Sequence, residues 1–482
     1  MARTPILAGF FPDPSVCRVG RDYYLACSSF EYHPGVPLFR SRDLVRWTQF
    51  GNVLTTDEQL VLPNGAGIYA PTLRHHAGRF WLITTNVFQA ERGHLIVHTE
   101  DPAGPWSAPV FTTGVHGIDP DLAWDADGTC YLTWGETEQP YNGSRIAQIE
   151  VDPETGELRG AKRRLWNGTG LANPEAPHLY RIGDWWYLLI AEGGTERGHC
   201  ASIARARTPT GPFEPAPGNP ILTHRSTTHP VQNTGHGDLI ETADGGWAMV
   251  YLGVRLRGET PGYHVNGRET FLAGVEWIDG WPRIDEDRYQ VPAADHSFDD
   301  DLRAEQPDPR WISPGEPARR FTTRDADGGL ILLRAEDGPG LLAVRVRDEE
   351  WSAEATVRTD DGVARLVLRI DEAHWYAVEA DVDEIRALCA IGPSHQRVGS
   401  APRPGPGPVT LRIAARAPGP DDPPGPDVVA LGVVDADGVT TLAELDGRYL
   451  STEVAGGFTG RVIGVQAVAG RVRLDRFGYQ PN

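Results

Sequence analysis

Residues 183–189 read Gly183-Asp-Trp-Trp-Tyr187-Leu-Leu, a turn followed by a strand. The Gly–polar pair supplies the turn of a β-hairpin, and the aromatic–aliphatic run supplies its second strand. The pattern recurs at Gly20-Arg-Asp-Tyr-Tyr24-Leu, Gly78-Arg-Phe-Trp81-Leu-Ile, Gly128-Thr-Cys-Tyr131-Leu and Gly246-Trp247-Ala-Met-Val. Tyr24, Trp81, Tyr131, Tyr187 and Trp247 follow one another at spacings of 57, 50, 56 and 60 residues. A repeat near ~50 residues with several strands per unit is how propeller blades read. Five copies predict a five-bladed β-propeller ending near Pro292.

The rest of the composition agrees with an all-β chain. Apolar runs are short and turn-bounded, and glycine (55) and proline (40) are plentiful. Long segments of helical period are scarce. A chain of 482 residues exceeds one ordinary core, so two domains are expected. There are 66 acidic residues against 45 basic ones, and no dense Lys/Arg run. That argues against nucleic acid and against anionic membrane surfaces as partners. No unbroken apolar run approaches the ~20 residues of a membrane helix. The start, MARTPILAGFFPDPS, lacks the apolar core of a secretory signal. Five scattered cysteines without a C-x-x-C argue against a disulfide frame or a zinc site. The expectation is a cytoplasmic enzyme with reduced thiols.

Counting back eleven or twelve residues from each repeat aromatic finds the start of the preceding strand. The residues there are Asp13, Asp119, Glu175 and His236; in the second unit the position falls at Ala70, beside Tyr69. Innermost propeller strands line a central channel, so these positions predict a ring at one mouth. Asp13 alone, between Pro12 and Pro14, reads as a turn residue; shared register with a Glu and a His argues for the ring. Three carboxyls in one pocket admit metal binding or general acid–base work. Glycoside cleavage needs one protonated carboxyl and one ionised carboxyl. A third acid nearby raises the pKa of the proton donor. Asp121 rivals Asp119, since strand alternation puts both on one face. Trp134 reads equally as a sugar platform or a core residue.

These stretches resemble glycoside hydrolase family 43. The strings that carry the likeness are ILAGFFPDPSVCRVGRDYYLACSSFEYHPGVPLFRSRDLVRW, GIYAPTLRHHAGRFWLITT, GIDPDLAWD, NPEAPHLY, AEGGT, GHGDLI and GRETFLAGVEW, from Ile6 to Trp281. The resemblance implies an inverting mechanism with Asp13 as general base, Asp119 as pKa modulator and Glu175 as general acid. It implies Arg268 as a donor to sugar hydroxyls, His236 as a channel histidine touching a central ion or water, and Phe30 and Tyr69 as pocket walls. It points to an exo-acting β-xylosidase or α-L-arabinofuranosidase working on short xylan- or arabinan-derived oligosaccharides. Relatives acting as xylosidases commonly carry Trp where Tyr69 stands, so the sugar preference stays open. No organic cofactor is implied. A structural calcium in the channel near His236, by way of water, and a homo-oligomer both stay open.

The boundaries expected are a propeller over 1–295, a connector over 296–320 and a jelly-roll-like β-sandwich over 321–482. Period-two strands such as WSAEATVRT and GPVTLRIAARA suggest the sandwich, with loops at Arg403–Pro408 and Ala417–Asp427. GGFTGRVIGVQAV resembles the family's sandwich partner, which packs on the propeller and can lend a loop to the pocket rim. A free-standing carbohydrate-binding module is the alternative. For the whole chain two other readings compete. One is a retaining fructan-type propeller hydrolase, whose W-x-N-D-P-N and R-D-P signatures are missing here. The other is a non-catalytic sugar-binding propeller.

Overall fold

Every Gly–polar turn read from the sequence closes a hairpin. Gly20 joins Ser15–Val19 to Asp22–Ala26, Gly78 joins Thr72–His76 to Arg79–Thr84, and Gly183 joins Glu175–Ile182 to Trp185–Glu192. Gly183 sits at φ 60°, a left-handed conformation that glycine adopts without strain. In the fifth copy Gly245 (φ 83°), not Gly246, takes that conformation. The computed structural model describes residues 4–60, 67–137, 144–336, 338–403 and 405–482; Pro404 in the Arg403–Pro408 loop lies outside them.

The hairpins grow into five four-stranded antiparallel sheets, each hydrogen-bonded in chain order. They cover residues 15–54, 72–111, 118–166, 175–215 and 231–285. The blades join through apolar contacts. Leu38, Val53 and Leu73 pack between the first and second, and Trp81, Leu132 and Trp134 between the second and third. Leu179, Leu188 and Ile146 pack between the third and fourth, Leu189, Met249 and Phe271 between the fourth and fifth. Leu25, Phe39 and Val250 close the ring. Each such side chain contributes roughly 1.5–3 kcal/mol on burial. The N-terminal segment helps to lock the closure, where Ile6 N–H donates to the Thr270 carbonyl at 2.9 Å. Trp134 is a core residue: it is fully buried, and its indole N–H donates to the His116 carbonyl at 3.0 Å.

The C-terminal part is a β-sandwich around two long paired strands, Trp351–Arg369 and Val462–Pro481. The segment between the two domains belongs to both. Phe298–Asp300 pairs with the last sandwich strand, while Ser313–Pro314 pairs with Tyr32–His33 of the propeller. Phe10, Phe30 and Tyr32 pack against Leu341, Val367 and Val462 across the seam. His264 meets Glu453 at 2.7 Å, and Arg461 N–H donates to the Val265 carbonyl. Gly460 allows the closest approach. A Cβ there would stand 2.3 Å from the Asn266 carbonyl oxygen, so the 456–461 loop rests against the loop that carries Arg268.

Candidate active site

The inner strands share a backbone device. Asp13, Asp119, Ala176 and His236 all have φ between 46° and 55°, in the left-handed region that non-glycine residues rarely enter. The ladder is bulged at the same places: between Ile118 and Asp121, Glu175 and His178, and Gly235 and Asp238. The ladder corrects the simple count from the aromatics. Asp13 and Asp119 lie four residues before the ladder partners of Tyr24 and Tyr131. Glu175 and His236 lie five before those of Tyr187 and Trp247. The bulges at Asp119, Glu175 and His236 each insert the same single residue. Glu175 stands one residue before the left-handed position, held there by Ala176, that Asp13, Asp119 and His236 occupy, and Trp247 sits one residue earlier along its strand than Tyr131 does.

A clasp lies beneath the bulges, built from all five blades. Arg74 of the second blade reaches Asp121 of the third and Asp238 of the fifth, each at 2.8 Å. It also donates to Nδ1 of His178 on the fourth at 2.9 Å. Ser15 of the first blade donates to Asp238 at 2.7 Å, and Tyr180 of the fourth does so at 2.5 Å. Burial alone would raise the Asp238 pKa, but Arg74, His178 and the Tyr180 hydroxyl outweigh it and hold the carboxyl down at about 2. Ser15, Asp121, His178 and Asp238 follow Asp13, Asp119, Glu175 and His236 by two or three residues, so each channel side chain is anchored from below. Asp121 therefore leaves the face of Asp119: it takes the Leu179 N–H at 2.8 Å and the Arg74 guanidinium. The sequence reading placed both acids on one face, and the bulge between them breaks that alternation.

Above the clasp, one pocket of about 80 Å³ is lined by Asp13, Phe30, Tyr69, Ala70, Asp119, Glu175, His236 and Arg268, with Ile118, Thr195 and Phe458. All seven residues singled out in the sequence meet there. Asp13 is buried; its Oδ1 accepts from Arg268 Nη1 at 2.7 Å and its Oδ2 from Ser28 Oγ at 2.5 Å. His236 Nδ1 stands 3.6 Å from Oδ1. Burial would raise the Asp13 pKa, but Arg268, His236 and Ser28 outweigh it and the carboxyl lies below its ordinary value. Burial and then the Asp13 charge push Glu175 up to about 7. Burial, Glu175 and Asp13 raise Asp119 well above the usual carboxylate range, although the Ala176 N–H donates to it at 3.2 Å. Asp119 and Glu175 thus contend for a proton while Asp13 stays ionised. Burial holds His236 down at about 3, so its imidazole is neutral near pH 7.

Sequence reasoning missed three neighbours. Ser28 and Thr195, which pairs with Arg268 at 3.2 Å, lie inside strings that carry the family likeness. Phe458 comes from the sandwich. Its ring stacks on Phe30 at 6.1 Å, meets Tyr69 edge-on at 5.7 Å and lies 5.6 Å from the Arg268 guanidinium. The string GGFTG marked this loop without saying which side chain reaches the pocket. Beyond Glu175 the pocket opens into a cleft of about 810 Å³, which shares Tyr69, Ile118, Glu175, Thr195 and Phe458 and adds His116 and Asn173.

The sequence profile of glycosyl hydrolases family 43 matches residues 2–282. The chain belongs to family 43. A second profile, the beta xylosidase C-terminal Concanavalin A-like domain, matches residues 299–475. The chain is 34% identical to a non-reducing end alpha-L-arabinofuranosidase of Bacteroides ovatus, over 96% of this chain and 91% of the relative. It is 46% identical to a xylosidase/arabinosidase of Butyrivibrio fibrisolvens, over 59% of this chain and 56% of that protein. Among solved structures, the Bacteroides ovatus Xyloglucan PUL GH43B superposes with a TM-score of 0.89 at 32% identity, covering all of both chains. A xylan beta-1,4-xylosidase of Bacillus halodurans superposes at 0.87 with 27% identity, again over all of both chains. This family 43 protein is a glycoside hydrolase, and its hydrolysis needs no organic cofactor. Membership sets aside the fructan-type and non-catalytic readings.

Proposed function

We propose that this family 43 enzyme removes single terminal β-D-xylosyl or α-L-arabinofuranosyl units from short oligosaccharides, with inversion at the anomeric carbon. One observation carries the reading: a small pocket holding an ionised carboxyl, Asp13, and a proton-sharing pair, Asp119 and Glu175, opens beside Glu175 into a much wider cleft. The pocket takes one terminal ring, and the cleft takes the rest of the chain. Asp13 acts as general base and removes a proton from the attacking water. Glu175, protonated near neutral pH, gives its proton to the leaving oxygen on the cleft side. Asp119 keeps that proton on the pair. Arg268 orients Asp13 and meets sugar hydroxyls, and Phe30, Tyr69 and Phe458 wall the ring.

Two further points belong to this reading. Calcium takes six to eight oxygen ligands, and no group of three His, Cys, Asp or Glu side chains gathers for a metal among the described residues. An ion beside His236 would therefore draw on water for most of its shell, and no step above runs through it. The cysteines are free and buried, which supports a reducing, cytoplasmic setting.

Turnover of paired aryl β-D-xyloside and aryl α-L-arabinofuranoside tests the proposal and ranks the two sugars. The Glu175→Ala variant separates the roles. It is expected to lose about 10²–10⁴-fold on glycosides with poor leaving groups and to spare those with acidic ones. Equal loss on both would remove Glu175 from the role of acid.

A further inference from the structure

A second cavity, of about 370 Å³, lies in the seam between propeller and sandwich and shares no lining residue with the active-site pocket. The first blade, the connector and the sandwich all contribute to its wall. Phe11, Trp47, Phe298 and Tyr479 give it aromatic faces, and Arg345 and Arg347 give it positive charge.

Arg345 is the exceptional group. Four arginines are buried among the described residues: Arg268, Arg345, Arg369 and Arg461. Arg268 meets Asp13 at 2.7 Å, Arg461 meets Asp427 at 2.5 Å, and Arg369 meets Glu31 at 4.0 Å. Arg345, only 5% exposed, has no carboxylate at ion-pair distance among the described residues. Its Nε donates to the Phe10 carbonyl at 3.0 Å, and its Nη2 is buried with no hydrogen-bond partner. Arg347 has no carboxylate at ion-pair distance among the described residues either, and donates to the Ala8 carbonyl at 3.1 Å. Of the other charged groups around the cavity, Arg310 pairs with Asp308 and His296 with Asp348, each at 2.9 Å. Asp295 is not paired with a cation among the described residues and accepts the Ser297 backbone N–H. A buried guanidinium without counter-charge is costly, and an orphaned buried donor calls for an ion or water.

We propose that the seam cavity binds a small organic carboxylate, its charge on Arg345 and Arg347 and its carbon frame against Trp47 and Phe298. Guanidinium groups match carboxylates two-pronged, and aromatic faces pack on sugar rings. A uronic acid residue uses both features. The volume lies in the range of about 300–1,000 Å³ that small ligands occupy. A ligand touching both domains stabilises their docking by mass action.

The test uses the full-length enzyme at constant ionic strength. Sodium D-glucuronate is compared with D-glucose, the ring without the charge, and with sodium acetate, the charge without the ring. Thermal shift and ligand-detected NMR report binding. Glucuronate is expected to raise the melting temperature saturably, and glucose is not. Arg347→Gln is expected to weaken glucuronate at least tenfold, with kcat/KM on an aryl pentoside unchanged. The half-buried Arg347 is preferred to Arg345 because its backbone N–H bond to Tyr479 survives the change. Acetate weaker than glucuronate supports a uronic acid as the ligand; acetate equal to it supports a free organic acid. Glucuronate no better than glucose, affinity unmoved in Arg347→Gln, or competition with the aryl pentoside would each overturn the site.

Discussion

Arg268 Nη1 donates to Asp13 Oδ1 at 2.7 Å, joining the strand entry of the fifth blade to that of the first. The contact sits where the ring closes, so the position of Asp13 depends on closure. The Arg268 charge also acts on the carboxyl: burial alone would raise the Asp13 pKa, and Arg268 is the largest of the groups that reverse this.

Arg268→Gln therefore has a directional signature. With its main counter-charge gone, Asp13 rises, and the acid limb of the kcat/KM profile moves toward neutral pH. Turnover at the optimum falls by about 10²-fold as the base loses its position. A pH–rate series on an aryl pentoside reads both effects, and an unmoved acid limb contradicts the assignment of Asp13.

Glu175 links catalysis to stability with the opposite sign. Its folded pKa, about 7, lies above the ordinary 4.5, so the folded protein holds this proton more tightly than the unfolded chain. The stability it contributes is present below pH 4.5 and is lost as pH rises to about 7. Some exposure at the pocket mouth damps the effect, leaving a ceiling of roughly 3 kcal/mol. Glu175→Gln should raise the melting temperature at pH 8 and leave it unchanged at pH 4. Parallel melting curves at the two pH values check this.

The five-blade clasp predicts a stability effect without a substrate contact. Arg74→Met leaves Asp121 and Asp238 buried and uncompensated, a loss of about 3–5 kcal/mol. Urea unfolding measures it. The added variant Asp238→Asn should recover part of the loss, because one of the stranded charges is gone.

Phe458 carries a different expectation. It is 41% exposed, unusual for a phenylalanine, and its partners are pocket walls rather than core. Phe458→Ala should raise KM by about tenfold and shift stability by less than about 0.5 kcal/mol. Steady-state kinetics and melting curves on the same variant separate the two.

The propeller was legible because its repeat is local: a turn glycine and an aromatic strand recur within each blade. Asp13, Asp119, Glu175 and His236 were found by counting from those aromatics, and the count succeeded within one residue because each bulge inserts a single position. What resisted reading was non-local. Arg74 looks like any strand arginine until Asp121 and Asp238 arrive from two other blades. Phe458 lies more than four hundred residues from Phe30, and only the docking of the sandwich across Gly460 brings the two rings together. Asp121 was misplaced because period-two alternation fails at a bulge, and nothing in IDPDLAW marks one.

The central claim is that Asp13 activates water on one face of a terminal pentosyl ring while Glu175 protonates the leaving oxygen on the other. Proton NMR during the first minutes of hydrolysis, before the free sugar mutarotates, tests it most directly. From an aryl β-D-xyloside the account predicts α-xylose as the first anomer seen, and from an aryl α-L-arabinofuranoside the β anomer. First appearance of the starting anomer in either case would contradict it.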